Sequence, residues 1–336
     1  MGIKTLLEKK EVRVYKLEIP PILFIIFNRP DTTARVFEEI RKVRPARLFV
    51  AADAPRYPIK AEVDACAAAL KIATNIDWEC ELHVLMQERN LGVGRGGAAA
   101  ITWFFQQVEA GIILEDDCVP SEQFFEFCAQ GLIKFKDDAS VMMIAGTNYL
   151  LGRYATQAGY YLSRFYPIWG WATWRRAWAL YDFDISHWEE ELIYKRLRTF
   201  FSNKLLALRW AKIFDDIKNK RLEAWDVQWV FACVKNHGYT LTAPFNMISN
   251  IGINGGHTNG VKAWVHEMPY QSCNVTEILR NPLSATTASK FDLEVYSQNG
   301  FLYKEPFYRV AGRAVLHRFP LLRAIYGGLK KMSRVE

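Results

Sequence analysis

The residues best suited to chemistry cluster in one short stretch, GIILEDDCVP at 111–120. There an apolar run ends in Glu115, Asp116 and Asp117, with Cys118 and Pro120 after them. Three adjacent carboxylates repel one another and must be hydrated or neutralised. A hard divalent cation does this well. Mg2+ or Mn2+ prefers oxygen ligands and is commonly held by one or two carboxylates together with substrate phosphates. A solvated turn, or the acidic flank of a following helix, shows the same letters. The apolar run before the acids and the helix expected after them favour a metal site. A further carboxylate, Asp226, sits between Trp225 and Val227. Aromatic neighbours exclude water and raise an acid's pKa. Asp226 is also placed to cap a helix over 227–237.

These groups need a scaffold, and the first half of the chain supplies an alternation of strand and helix. The apolar run 22–27 predicts a strand buried on both faces. Asn28-Arg29-Pro30-Asp31 breaks it, with Asp31 placed to cap a helix over 32–43. A second strand at 47–52 ends in Asp53-Ala54-Pro55-Arg56, and an alanine-rich helix follows at 59–73. Residues 81–86 alternate as a third strand would. Asn90 to Gly97 reads as a glycine-rich turn into a helix ending near 109. Its backbone N–H groups and Arg95 are candidates for phosphate contact, with a plain connection as the alternative. It follows the third strand, where a dinucleotide fingerprint would follow the first. Strand 112–114 leads to the acids. Ser121 is the expected N-cap of helix 122–135, and 141–145 is a fifth strand. Such alternation predicts a mainly parallel sheet with helices on both faces, which binds ligands beyond the carboxyl ends of its strands. Arg29, Asp53 with Arg56, the glycine run and the acids all fall there.

The second half is less patterned. A strand is expected at 160–163, helices at 202–220 and 227–237, and a short segment at 239–242. Trp171, Trp174 and Trp178 fall at helical spacing, which suits a core-facing helix. Trp169, beside Pro167 and Gly170, is better placed to stack on a sugar ring. In the loop SNIGINGGHTNG, His257 is a candidate contact for a metal or diphosphate.

The chain has 336 residues, half of them hydrophobic, enough for one large core or two smaller ones. Its formal charge is +7, yet residues 308–336 hold seven Lys/Arg against one acid. The body is nearly neutral, which argues against a broad nucleic-acid surface. The basic, apolar tail suits an anionic membrane surface, with a solvated or docked terminus as the alternative. Six scattered cysteines with no zinc spacing predict reduced thiols. With no leader or long apolar segment at the N-terminus, a cytoplasmic protein is expected, peripheral on the inner face of the cell membrane if the tail binds there. Asn274-Val275-Thr276 is then a chance match to a glycosylation acceptor.

GIILEDDCVPSEQFFEFC resembles the metal-binding segment of nucleotide-diphospho-sugar glycosyltransferases of the GT-A fold, in particular the N-acetylglucosaminyltransferase I-like group and its bacterial relatives. IFNRPDTTARVFEEIRKVRP, FVAADAPR, MIAGTN, PIWGWATWRRAW, EAWDVQW and SNIGINGGHT are similar to further segments of that family, in its order. The resemblance implies a GT-A (Rossmann-like) α/β domain over 20–260, with a nucleotide-sugar half at 20–150 and an acceptor half at 151–260. A C-terminal extension at 261–307 and the tail at 308–336 would follow. It implies a metal ligand at Asp117, with Glu115 and Asp116 at the ribose or supporting the metal through water. Arg29 would lie at the nucleobase, Arg56 and Arg95 near phosphate, Trp169 at the sugar, Asp226 as base and His257 near the metal. Asp53 would accept a base N–H, and uracil N3–H is the natural donor. Ala54 stands where bacterial members often have glycine, so that turn departs from the pattern. The implied activity is inverting, Mn2+- or Mg2+-dependent transfer from a UDP-sugar to a glycan or lipid-linked glycan. The rivals are a sugar-phosphate nucleotidyltransferase, which would want a Gly-rich basic loop after strand one, and an inactive nucleotide-sugar or glycan-binding protein.

Overall fold

The computed structural model describes residues 18–151, 159–186, 190–252 and 268–298. His257 and the basic tail lie outside them. In chain order the first part runs β1 Ile22–Ile26, α1 Pro30–Val43, β2 Arg47–Ala52, α2 Lys60–Ala73, β3 Glu81–Met86, α3 Gly92–Phe105 and β4 Ala110–Glu115. It continues with β5 Cys118–Pro120, α4 Glu122–Lys134, β6 Val141–Ala145, β7 Tyr161–Ser163, β8 Trp171–Trp174 and α5 Arg175–Trp178. The rest is α6 Glu190–Phe201, α7 Lys204–Lys218, α8 Asp226–Lys235, β9 Tyr239–Thr242, β10 Ile248–Asn250, α9 Val275–Arg280 and α10 Ala285–Gln298.

Eight strands form one sheet in the order β3-β2-β1-β4-β8-β6-β9-β7. β1 to β4 pair in parallel, as do β6 and β9, while β8 runs antiparallel between β4 and β6. β7 closes the far edge, antiparallel to β9. The expected α/β architecture, a large and mostly parallel sheet flanked by helices, is what the chain adopts. Strand alternation sends Leu23, Phe49 and Ile113 to one face and Ile22, Phe24, Leu48, Val50, Ile112 and Leu114 to the other. All nine are buried. Each such side chain contributes about 1.5–3 kcal/mol on burial. The first face packs against α3 and α5–α8, the second against α1, α2, α4 and α9.

Four local expectations change. The run GVGRGG is the first turn and a half of α3, not a turn before it, and α3 ends at Phe105. Trp171 and Trp174 lie on β8 rather than on a helix, and only Trp178 belongs to α5. There the strand pairing of 171–174 with both β4 and β6 overrides a helical spacing, and Trp171 and Trp174 fall on opposite faces of the sheet. α1 starts at Pro30, with Arg29 in the N-cap position and Asp31 inside the first turn. Ser121 precedes α4 but makes no side-chain cap bond, and its buried hydroxyl has no partner among the described residues. In the C-terminal part, α10 docks on β7 through stacked Tyr161 and Phe291 rings, 4.6 Å between centroids. Ser163 Oγ also donates to Asp292 at 2.5 Å. The α9 cap is Asn274, whose side chain accepts from the Glu277 N–H. All six cysteines are free thiols.

Candidate active site at the carboxyl edge of the sheet

The acids sit where β4 ends, and Arg29, at the end of β1, answers their repulsion. Its guanidinium is ion-paired to Asp116, and its Nη1 donates to Asp117 Oδ2 at 2.9 Å. β1 and β4 are neighbours in the sheet, so the two strand ends are brought together by topology alone. Arg29, the candidate for a nucleobase contact, is placed on the acids. The Phe27 N–H also points at Asp116 Oδ2, at 3.4 Å. Asp117 is held from a third side by the ribbon of β5 and β10, in which Asn250 lies opposite Cys118. Asn250 Nδ2 donates to Asp117 Oδ1 at 3.3 Å, the Cys118 thiol lies 3.4 Å from the same oxygen, and the Ile251 N–H donates to the Asp117 carbonyl at 2.9 Å. Gly252 follows, so close that a Cβ there would meet Asp117 Cγ at 3.0 Å and Arg29 Nη1 at 3.2 Å.

Glu115 is different. Among the described residues no hydrogen bond or ion pair reaches its carboxylate, which is partly exposed. Burial, then the charges of Asp117, Asp116 and Asp226, push its pKa up to about 8. Burial also lifts Asp116, to about 6, against the pull of Arg29. One oxygen each from Glu115 and Asp117 and the Cys118 sulfur lie within 4.8 Å of one another. Two carboxylates facing one point, one of them without a cation, fit a hard divalent ion. The pair is Glu115 with Asp117, since Asp116 is not part of this group and is bound to Arg29 through both of its oxygens.

Asp226 is the first residue of α8, whose N-terminus lies at the same edge. Burial raises its pKa, partly offset by backbone N–H groups at the helix start. It is near enough for its charge to raise Glu115. The Tyr181 hydroxyl donates to the Trp225 carbonyl at 3.1 Å, and the Asp226 charge adds to burial in holding that phenol protonated.

The remaining candidates have defined places. Asp53 accepts from the N–H groups of Ala54, Leu91 and Gly92, at 2.9 to 3.1 Å. It therefore caps α3, and those N–H groups of the glycine run already have an acceptor. Arg56 is exposed, paired with Glu62 at 2.6 Å and lying over the Phe27 ring at 5.3 Å. Glu62 also takes Asn28 Nδ2 at 3.0 Å and the Tyr57 N–H at 3.2 Å, tying together the turns after β1 and β2. Arg95, exposed on α3, lies over Phe183 at 4.7 Å. Trp169 is partly buried beyond β6, edge-on to Tyr149 at 5.5 Å, with its carbonyl accepting from Thr147 Oγ1 at 2.6 Å. Sequence reasoning missed Glu62, Asn250, Gly252 and Cys118. Asn250 and Gly252 lay in a loop noted for its histidine, and only the β5–β10 pairing brings them to the acids.

No family model matches the chain, and no curated protein matches it. Among solved structures, the mannosyltransferase PcManGT from Pyrobaculum calidifontis, in complex with GDP-Man and Mn2+, aligns with 93% of this chain and 80% of its own at 11% identity and a TM-score of 0.38. The inositol-1-phosphate CTP transferase from T. maritima aligns with 68% and 86% at 6% identity and a TM-score of 0.32. HddC from Yersinia pseudotuberculosis aligns with 37% of this chain at 11% identity and a TM-score of 0.24, and the chain spans only 56% of HddC. Likenesses at these scores assign neither a family nor a substrate.

Proposed function

We propose that the chain is a metal-dependent glycosyltransferase of the GT-A kind. It would move a sugar, with inversion, from a nucleoside-diphosphate donor to a hydroxyl of a glycan or lipid-linked glycan. One observation supports this above the others: Glu115 and Asp117 face a common point at the carboxyl edge of the sheet, with Asp226 within electrostatic reach. Glu115 and Asp117 would hold Mn2+ or Mg2+, which supplies positive charge for a departing diphosphate. The protein's own part is threefold. Arg29, Asn250 and Gly252 fix Asp117 in place. Glu62 and Asp53 hold the turns after β1 and β2, where the nucleotide is expected. Asp226, its basicity raised by burial, takes the proton of the attacking hydroxyl as the new bond forms.

Transfer from a panel of nucleotide sugars headed by UDP-sugars, with and without EDTA, tests the reading. Activity is expected only with the metal, and Asp117→Ala should abolish it. Asp226→Asn should lower kcat by about 10²–10⁴-fold with donor KM unchanged. Pyrophosphate release from a nucleoside triphosphate and a sugar phosphate would instead identify a nucleotidyltransferase. Tight binding of UDP and Mn2+ without turnover would identify a binding protein. Among the described residues no helix is long and apolar enough to cross a membrane.

A further inference from the structure

Four glycines at positions 92, 94, 96 and 97 open α3, although glycine inside a helix costs roughly 0.5–1 kcal/mol relative to alanine. The segment that carries Asp226 lies against three of them, Gly92, Gly94 and Gly97, while Gly96 faces Asp53. A Cβ on Gly94 would stand 3.0 Å from Glu223 Cγ and 3.2 Å from the Ala224 carbonyl oxygen. A Cβ on Gly97 would stand 2.7 Å from Trp225 Cδ1 and 2.9 Å from its Nε1. The Trp225 ring is also stacked on Trp171, 5.8 Å between centroids and 19° from parallel. Trp171 pairs in the sheet with Ile113, two residues before Glu115. Trp225 is thus a wedge between the notch at Gly97 and a residue paired with the strand that ends in the acids. Its carbonyl is held by Tyr181, and Asp226 is the next residue.

We propose that Gly97 is a positioning residue. By leaving room for the Trp225 ring it sets Asp226 relative to Glu115 and Asp117, an assignment that rests on Asp226 as the base. The ring has little freedom to yield, because Trp171 occupies the stacking position. A methyl at 97 therefore displaces Trp225, and the shift passes through one peptide to Asp226. Misplacement of a catalytic group by about 1 Å can cost 10²-fold in rate.

The experiment is a kinetic cycle of Gly97→Ala, Asp226→Asn and the double variant, with calorimetry of UDP and Mn2+ binding. Gly97→Ala is expected to lower kcat by about 10- to 100-fold while leaving UDP–Mn2+ affinity unchanged. In the Asp226→Asn background it should cost nothing further, because the group it places is gone. An unchanged kcat, an equal loss in the Asp226→Asn background, or a matching loss of UDP–Mn2+ affinity overturns the proposal. Trp225→Phe, which removes the wedge without a clash, must give the same pattern and decides the case if Gly97→Ala fails to fold. A wild-type protein inactive with every nucleotide sugar would refute the transferase reading, not the wedge. Near-ultraviolet circular dichroism then reads the wedge alone: Gly97→Ala must alter the tryptophan signal, and an unchanged spectrum overturns it.

Discussion

Arg29→Gln tests whether the acids are held by a protein cation that a metal can replace. The Asp116 side chain is 3% exposed and that of Asp117 12%, but Arg29 is 35% exposed. Removing one partner of a buried ion pair costs about 3–5 kcal/mol, and screening at the exposed guanidinium brings this to about 2–3 kcal/mol. In EDTA the variant should lose that much in urea unfolding, or roughly 3–4 °C in Tm. Mn2+ should recover more stability in the variant than in the wild type. The loss of Arg29 leaves Asp117 Oδ2 without its strongest competitor for the ion, and occupancy at a hundred times Kd adds about 2.7 kcal/mol. A deficit that is the same with and without Mn2+, or below about 0.5 kcal/mol in EDTA, would show that Arg29 does not neutralise these acids.

Gly252→Ala puts a methyl against Asp117 Cγ and Arg29 Nη1. It should cost about 1–3 kcal/mol in stability and weaken Mn2+ binding by calorimetry, whereas intact binding would show that the loop moves aside freely. Metal-free protein should be more stable near pH 5 than near pH 8. The folded pKa values of Asp116, about 6, and Glu115, about 8, lie above their unfolded values, so the folded state binds more protons in this window and stability falls as pH rises. Thermal unfolding in EDTA checks this, and a rise in stability towards pH 8 would contradict the placement of these carboxylates. Ser163→Ala removes the hydroxyl bond to buried Asp292 and leaves it, among the described residues, the Arg164 N–H as its hydrogen-bond donor. Urea unfolding should record a loss of about 1–3 kcal/mol.

Much of the first half was legible because strands buried on both faces read as apolar runs, as 22–27 and 47–52 do. The acids at the end of β4 were legible for the same reason, since the apolar run before them reads as a buried strand. What stayed hidden depends on partners distant in sequence. The clamp of Arg29 on Asp116 joins residues 87 apart, which no local pattern records. The glycines of α3 looked like a turn because their helix propensity is poor, and what packs against Gly92, Gly94 and Gly97, the stretch Glu223 to Trp225, lies in another segment. Tryptophans at 171, 174 and 178 fit a helical period, but pairing on both sides with β4 and β6 made 171–174 a strand.

The antiparallel insertion of β8 between β4 and β6 also fixes an order of assembly. β1, β2, β3 and β4 find their neighbours within the first third of the chain, whereas β4 keeps one open edge until residues 171–174 arrive. Emerging N-terminus first, the chain carries its acids on an unfinished sheet. An open edge is a template for wrong pairing, and charge beside it discourages strangers. Arg29 is already present to keep Asp116 and Asp117 from repelling the half-built strand ends apart. Asp226 comes last, so the nascent chain holds its acidic corner well before Asp226 can join it.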